Sequence, residues 1–156
     1  MAKATPATRT LDQAKVEYVL HEYDYDPDAP RIGMQAAEAL GIEPQRLLKT
    51  LMARAGDKVV CVLVPSDREV NLKKLAAAAG AKSAAMLGAA EAERITGYHV
   101  GGISPFGQKK PVPVFVENSA LSFDRIVLNG GRRGLQVELA PGDVLRVLNA
   151  TSTDLC

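Results

Sequence analysis

Residues 47–65 read L-L-K-T-L-M-A-R-A-G-D-K-V-V-C-V-L-V-P, and the pairing of this run decides the fold. Its second half, 59–65, is continuously apolar, rich in valine and closed by proline, as expected of a strand buried on both faces. The first half, 47–55, fits a helix or a strand by periodicity. The Gly56-Asp57 turn between the halves favours the strand without closing the helix alternative, because a Gly-Asp turn before a strand suggests a hairpin. Residues 48–53 then become the partner strand, and Lys49 and Thr50 point to opposite faces of it.

Outward from this hairpin the chain mixes strands and helices. Thr5-Pro6 opens a short amphipathic helix with Leu11 and Ala14 on one face. Residues 15–23, K-V-E-Y-V-L-H-E-Y, alternate Val16, Tyr18 and Leu20 against Glu17, Val19 and His21, a strand pattern. Pro27 and Pro30 break regular structure, and a helix over 34–42 ends at Gly41. A second helix over 71–80 is capped by Asn71 and stopped by Gly80, and a third covers 89–95. Residues 113–117 form a strand, 125–139 two apolar strands around Asn129-Gly130, and 141–149 a closing helix. Hairpins interspersed with helices give an α+β class with a mixed, mainly antiparallel sheet. At 156 residues the chain is expected to form one domain over 1–156.

Composition narrows the function. Hydrophobic residues make up 47% and charged residues 24%, ordinary globular values. No apolar run approaches the roughly 20 residues of a membrane span. The first ten residues lack an apolar signal core, so a cytoplasmic location is expected. Cys61 lies inside V-V-C-V-L-V as a core hydrophobe and Cys156 is the last residue. His21 and His99 have no neighbours at metal-ligand spacing, so no metal and no cofactor are expected. A net charge of +1 argues against binding DNA or RNA by overall charge. With no Trp, four Tyr and three Phe, an extended base-stacking platform is not expected, and any nucleic acid is expected to be gripped at one end rather than read along its length.

Motifs for covalent hydrolysis or phosphate binding are absent: there is no G-x-S-x-G, G-x-x-x-x-G-K-[ST], H-E-x-x-H or C-x-x-C. Three features remain. Lys49-Thr50 sits in an apolar run, where the ammonium either reaches a pocket or anion or snorkels to solvent. Gly101-Gly102-Ile103-Ser104-Pro105 has paired glycines whose N–H groups can approach a ligand and a proline that fixes the far side. Its plain alternative is a surface turn. N-G-G-R-R-G-L at 129–135 offers Arg132 and Arg133 to a phosphate, as Lys109-Lys110 do after Gly107, or both pairs are solvated surface charge.

Five segments together carry a resemblance: H-E-Y-D-Y-D-P at 21–27, L-L-K-T-L at 47–51, N-L-K-K at 71–74, T-G-Y-H-V-G-G-I-S-P-F-G-Q-K-K at 96–110 and G-G-R-R-G-L at 130–135. The chain resembles the YbaK/EbsC family of aminoacyl-tRNA deacylases, related to the editing domain of bacterial prolyl-tRNA synthetases. Its nearest likeness within the family is to the free-standing proteins that hydrolyse Cys-tRNA(Pro). The resemblance implies a partly barrel-like sheet surrounded by helices. It implies trans-editing of a mischarged tRNA, with the cysteinyl thiol attacking its own carbonyl. It places the essential lysine on Lys49, pocket positions on Tyr23 and Thr50, and the carbonyl-facing loop on Gly101 to Pro105, including Gly102 and Ser104. Ile32, Asn129 and Gln136 fall on pocket positions where relatives carry an aromatic, a serine before the glycine hairpin that begins at Gly130, and a carboxylate. Those departures leave open another amino acid, such as alanine with water as nucleophile. A module that binds aminoacyl-tRNA without cleaving it is the reading from another class. Implied partners are the acceptor end of aminoacyl-tRNA and, transiently, prolyl-tRNA synthetase; Lys109, Lys110, Arg132 and Arg133 are the RNA-contact candidates.

Overall fold

Local capping chemistry sets the helix ends. The computed structural model describes residues 4–30 and 34–156. α1 (Pro6–Gln13) is opened by a reciprocal pair: the Thr8 N–H donates to the Thr5 hydroxyl and the Thr5 N–H to the Thr8 hydroxyl. α2 (Gln35–Leu40) ends on Gly41 in the left-handed region. α3 (Leu72–Ala78) starts where the Asn71 side chain accepts from the Lys73 and Lys74 N–H groups. α4 (Ala89–Thr96) ends on left-handed Gly97, and α5 (Pro141–Leu148) has proline in its first turn.

The strands are β1 (Val19–Glu22), β2 (Leu48–Ala55), β3 (Lys58–Pro65), β4 (Ala84–Met86), β5 (Val114–Glu117), β6 (Ile126–Asn129), β7 (Leu135–Leu139) and β8 (Thr151–Thr153). They form an antiparallel sheet in the order β1-β7-β6 and a mixed sheet in the order β4-β2-β3-β5-β8. In the mixed sheet β5 runs parallel to both its neighbours. Among the described residues one isolated parallel bridge, Leu47 to Val127, joins the sheets, and the Val127 N–H donates to the Arg46 carbonyl at 2.9 Å.

The β2–β3 hairpin has the expected register, from Leu48 opposite Pro65 to Ala55 opposite Lys58, and Gly56 takes φ +60 in the turn. Its apolar continuity has a simple cause. Cys61 and Leu63, with Leu48 and Met52, enter the main core against Leu11, Phe106, Ile126, Leu128 and Val137. Val60, Val62 and Val64 face the other way, against Leu75 of α3 and Phe115 of β5. Each such side chain contributes about 1.5–3 kcal/mol by leaving water.

Three details differ from the sequence expectation. β1 covers only the second half of 15–23, because the chain is still closing α1: Lys15 adopts φ +58 and the Val16 N–H donates to the Leu11 carbonyl. β4 and β8 were not foreseen. They are three-residue edge strands, A-A-M and T-S-T, that carry no apolar alternation and exist by pairing with β2 and β5. The β6–β7 hairpin does not turn at Asn129-Gly130; Asn129 is the last strand residue, opposite Gln136, and residues 130–134 make the turn, with Gly131 and Gly134 at positive φ.

The end of the chain is tied down by Glu117, itself 4% exposed. Its carboxylate accepts from the Leu155 N–H at 2.8 Å and the Ser119 N–H at 3.0 Å. Burial pushes this carboxyl up, but those N–H donors outweigh it and hold it below its ordinary 4.5. A lowered folded value means stability that is complete above the ordinary value and lost as pH falls through the lowered one. Glu117→Gln is therefore expected to cost about 1–3 kcal/mol at neutral pH, the penalty of disturbing a buried hydrogen-bonded group. It is also expected to shallow the acid decline of the thermal midpoint, read by melts from about pH 7 to pH 3. An unchanged acid limb in a folded Glu117→Gln protein would remove Glu117 from that account.

Candidate active site

Where the start of β2 meets the end of β6 and the start of β7, the sheets leave a cleft of about 400 Å³. Its wall carries Tyr23, Lys49, Thr50, Gly101, Asn129 and Gln136, six residues marked by the sequence. Lys49 is the only charged side chain among the described lining residues, and no Cys or His is among them. Among the described residues no group of three or more His, Cys, Asp or Glu could hold a metal ion.

Lys49 and Thr50 diverge as strand geometry requires. The Lys49 side chain is 21% exposed, and its ammonium lies 3.4 Å from a Glu69 carboxylate that is 91% exposed. Thr50 shares the face of Leu48 and Met52. Its Oγ1 is buried with no hydrogen-bond partner among the described residues, and so is Gln136 Oε1. Gln136 as a residue is 4% exposed. A buried polar atom left without a partner costs roughly 1–3 kcal/mol, so two of them beside one cleft point to a ligand or water that completes them. Burial, then the neighbouring Tyr25, push the Tyr23 phenol above its ordinary pKa, against the opposing hydrogen bond from Gln136. Tyr23 therefore presents a neutral hydroxyl at neutral pH.

The 99–102 loop forms the opposite lip. Both glycine N–H groups were candidates to face a substrate carbonyl, and the structure separates them. The Gly102 N–H donates to the His99 carbonyl at 2.8 Å and is engaged in the turn. The Gly101 N–H has no acceptor among the described residues. Gly101 has φ +92, and a Cβ there would lie 2.9 Å from the Tyr25 hydroxyl and 3.1 Å from Arg133 Nε. A Cβ on Gly102 would come within 2.7–2.9 Å of the Arg132–Arg133 backbone. Asn129 joins the two loops: its Nδ2 donates to the Gly101 carbonyl at 3.3 Å and its Oδ1 accepts from the Gly131 N–H at 2.7 Å.

The other sequence candidates lie off the cleft wall. Ser104 is fully buried and its hydroxyl accepts from the Phe106 N–H, while Pro105 lines a second cleft with Val112 and Leu148. The Gly130 carbonyl accepts from the Thr5 hydroxyl, and a Cβ there would press on Leu135. Arg132 pairs with Glu22 at 3.0 Å, and Arg133 donates through Nε to the Val100 carbonyl at 2.9 Å. Lys109 and Lys110 are exposed, with backbone N–H groups bonded to the Thr96 and Ile95 carbonyls. Ile32 lies outside the described residues.

Sequence reasoning missed the apolar rim: Met86, 43% exposed, and Val100, 42% exposed, stand at the cleft together with Leu87 and Ile103. Met86 sits on the unforeseen β4, and only its break in the alanine-rich run 84–90 could have signalled it. The two thiols take no part. Cys61 is fully buried, its pKa pushed by burial up to about 12, and Cys156 is raised as well, mainly by burial.

Fold and cleft together define an α+β domain whose cleft is lined, among the described residues, by apolar and neutral polar groups around one cation. The chain belongs to the aminoacyl-tRNA editing domain family, whose model matches residues 26–147. A proposed Cys-tRNA(Pro)/Cys-tRNA(Cys) deacylase, EbsC of Enterococcus faecalis, is 38% identical over 97% of this chain and 92% of its own length. The proline–tRNA ligase of Caldicellulosiruptor saccharolyticus is 32% identical over 75% of this chain, which spans 21% of that protein. The crystal structure of a proposed trans-editing enzyme for prolyl-tRNA synthetase shares the fold, with a TM-score of 0.80 and 23% identity over 97% of this chain and 98% of the other.

Proposed function

We propose that this protein is a trans-editing deacylase that cleaves the ester between a mischarged amino acid and the 3′-terminal ribose of tRNA, with Cys-tRNA(Pro) as its substrate. The observation that carries the reading is a cleft with one cation, a glycine N–H left without an acceptor and no Cys or His on its described wall. Such a cleft suits a substrate that brings its own nucleophile. The cysteinyl thiol attacks its own carbonyl carbon, the bond to the ribose oxygen breaks, and the thiol proton passes to the departing ribose. The product is a strained cyclic thioester, which water then opens to cysteine. The protein contributes orientation and charge stabilisation: the Gly101 N–H faces the carbonyl oxygen, and Lys49 holds a phosphate or the developing negative charge. Thr50 and Gln136 complete their hydrogen bonds on the bound aminoacyl group.

A second sieve answers a physical limit, since a small pocket separates ligands by only about 1–3 kcal/mol per methylene-sized difference. Cysteine and proline are similar in size, and the proposed reaction needs the thiol that proline lacks. The balanced net charge gives no broad RNA-binding surface, so selection of the tRNA falls to prolyl-tRNA synthetase, a transient partner in this reading. No helix of the described residues is long and apolar enough to cross a membrane, and the proposed site of action is the cytoplasm, where charged tRNA is used.

The test is a panel of mischarged tRNAs that includes Cys-tRNA(Pro), Cys-tRNA(Cys) and Ala-tRNA(Pro), with and without the synthetase. Cys-tRNA(Pro) should be deacylated fastest, and preference over Cys-tRNA(Cys) should appear only with the synthetase present. Strong unaided discrimination would sink the partner. Faster cleavage of Ala-tRNA(Pro) would replace the thiol mechanism with attack by water, and binding without cleavage would make the chain a sequestering module.

A further inference from the structure

Arg133 belongs to a glycine-rich turn that invites a phosphate, yet the fold gives its guanidinium other partners. Nε donates to the Val100 carbonyl at 2.9 Å, and the guanidinium carbon stands 5.3 Å from the centroid of the Tyr25 ring. The absent Cβ of Gly101 is what lets the Tyr25 hydroxyl and Arg133 Nε close over that residue. The backbone two residues before Tyr25 is held by the same hairpin: the Tyr23 N–H donates to the Gly134 carbonyl at 2.9 Å, and a Cβ on Gly134 would fall 2.5 Å from the Tyr23 carbonyl oxygen. Three loops, 23–25, 99–102 and 130–134, therefore interlock around one cation.

The consequence follows from the peptide unit. In a trans peptide the C=O of one residue and the N–H of the next lie in one plane and point in opposite directions. The carbonyl that Arg133 holds is that of Val100, and its peptide partner is the N–H of Gly101, a residue of the cleft wall whose donor has no acceptor among the described residues. A cation on the carbonyl fixes that plane and polarises it, which makes the opposite N–H a stronger donor. Asn129 does the same for the next peptide, holding the Gly101 carbonyl while the Gly102 N–H closes on His99.

We propose that Arg133 is a positioning residue, acting through the Val100–Gly101 peptide to aim and strengthen the Gly101 N–H toward the substrate's carbonyl oxygen, and is not a contact to the RNA backbone. This rests on the deacylase reading given above, and the experiment separates the two. Arg133→Gln and Arg133→Lys are compared with wild type for kcat and KM on Cys-tRNA(Pro) across a salt series. The Gly101 amide is followed in ¹⁵N–¹H spectra of the same proteins without tRNA. For Arg133→Gln the expected result is a shifted Gly101 amide, a kcat lower by about tenfold to 100-fold and a KM within about twofold, the pattern of a weakened transition-state donor. Its salt dependence should match wild type, and Arg133→Lys should recover part of kcat. A raised KM with a salt slope shallower by about 0.7–0.9 would mark a phosphate contact and overturn the proposal. A Gly101 amide that does not move in Arg133→Gln would overturn it too, whatever the activity. If wild type deacylates no tRNA in the panel, the deacylase reading fails while the amide shift still decides whether Arg133 acts on this peptide.

Discussion

Lys49→Ala is expected to fold normally and to lose at least about 100-fold in the rate of ester cleavage, the scale of deleting one preorganised charge-stabilising group. The lysine's structural partnership is weak. The carboxylate it pairs with, on Glu69, is 3.4 Å away and almost fully exposed, and a pair whose acid is screened by solvent in this way is worth about 1 kcal/mol or less. The thermal midpoint should therefore move little while the rate collapses. Glu69→Ala serves as the control: if the ion pair were the lysine's purpose, the two variants would match in both stability and rate. Single-turnover rates on Cys-tRNA(Pro), with melts of the same samples, check this. Near-normal turnover in folded Lys49→Ala would return the lysine to the role of a side chain reaching for solvent past an apolar strand.

Gly101→Val should abolish cleavage more completely than neutralising Lys109 and Lys110 together. Two penalties act at this position. A φ of +92 is strained for any side chain, most of all a β-branched one. The new Cβ would also press on the Tyr25 hydroxyl at 2.9 Å and on Arg133 Nε at 3.1 Å, opening the interlock that aims the Gly101 N–H. The expected loss is about 1,000-fold or more, because the donor is displaced and the lip of the cleft moves with it. Lys109→Ala/Lys110→Ala leaves the loop's backbone bonds to Thr96 and Ile95 in place, so only a modest effect on tRNA affinity is expected. A double lysine variant that falls below Gly101→Val in single-turnover rate would reverse the ranking and put RNA contact ahead of backbone geometry.

Elements whose signals are local were legible. The Thr5-Pro6 start, the Asn71 cap, the glycine stops at 41 and 80 and the Gly56-Asp57 hairpin each depend on contacts within a few residues. β4 and β8 were not legible, because an edge strand of three small or polar residues owes its existence to the strand beside it. The turn after β6 shows the same limit: Asn129-Gly130 reads as a two-residue turn, but the pairing of Asn129 with Gln136 and the positive φ values of Gly131 and Gly134 make it longer.

For the site, the sequence by itself determined the inventory: one lysine in an apolar strand, glycine-rich loops, a core thiol at Cys61 and no motif for a protein nucleophile. The resemblance placed Tyr23, Lys49, Thr50, Gly101, Asn129 and Gln136 on one pocket, and the structure brings them to one cleft. Only the tertiary structure decided how the polar groups are used. Among the described residues it engages the Gly102 N–H and leaves that of Gly101 without an acceptor, buries Thr50 Oγ1 and Gln136 Oε1 unpartnered, and pairs Arg132 and Arg133 with protein groups. The reason is distance along the chain. A cap or a turn is written within a few residues, whereas Arg133 finds its carbonyl 33 positions away and Arg132 its carboxylate 110 positions away.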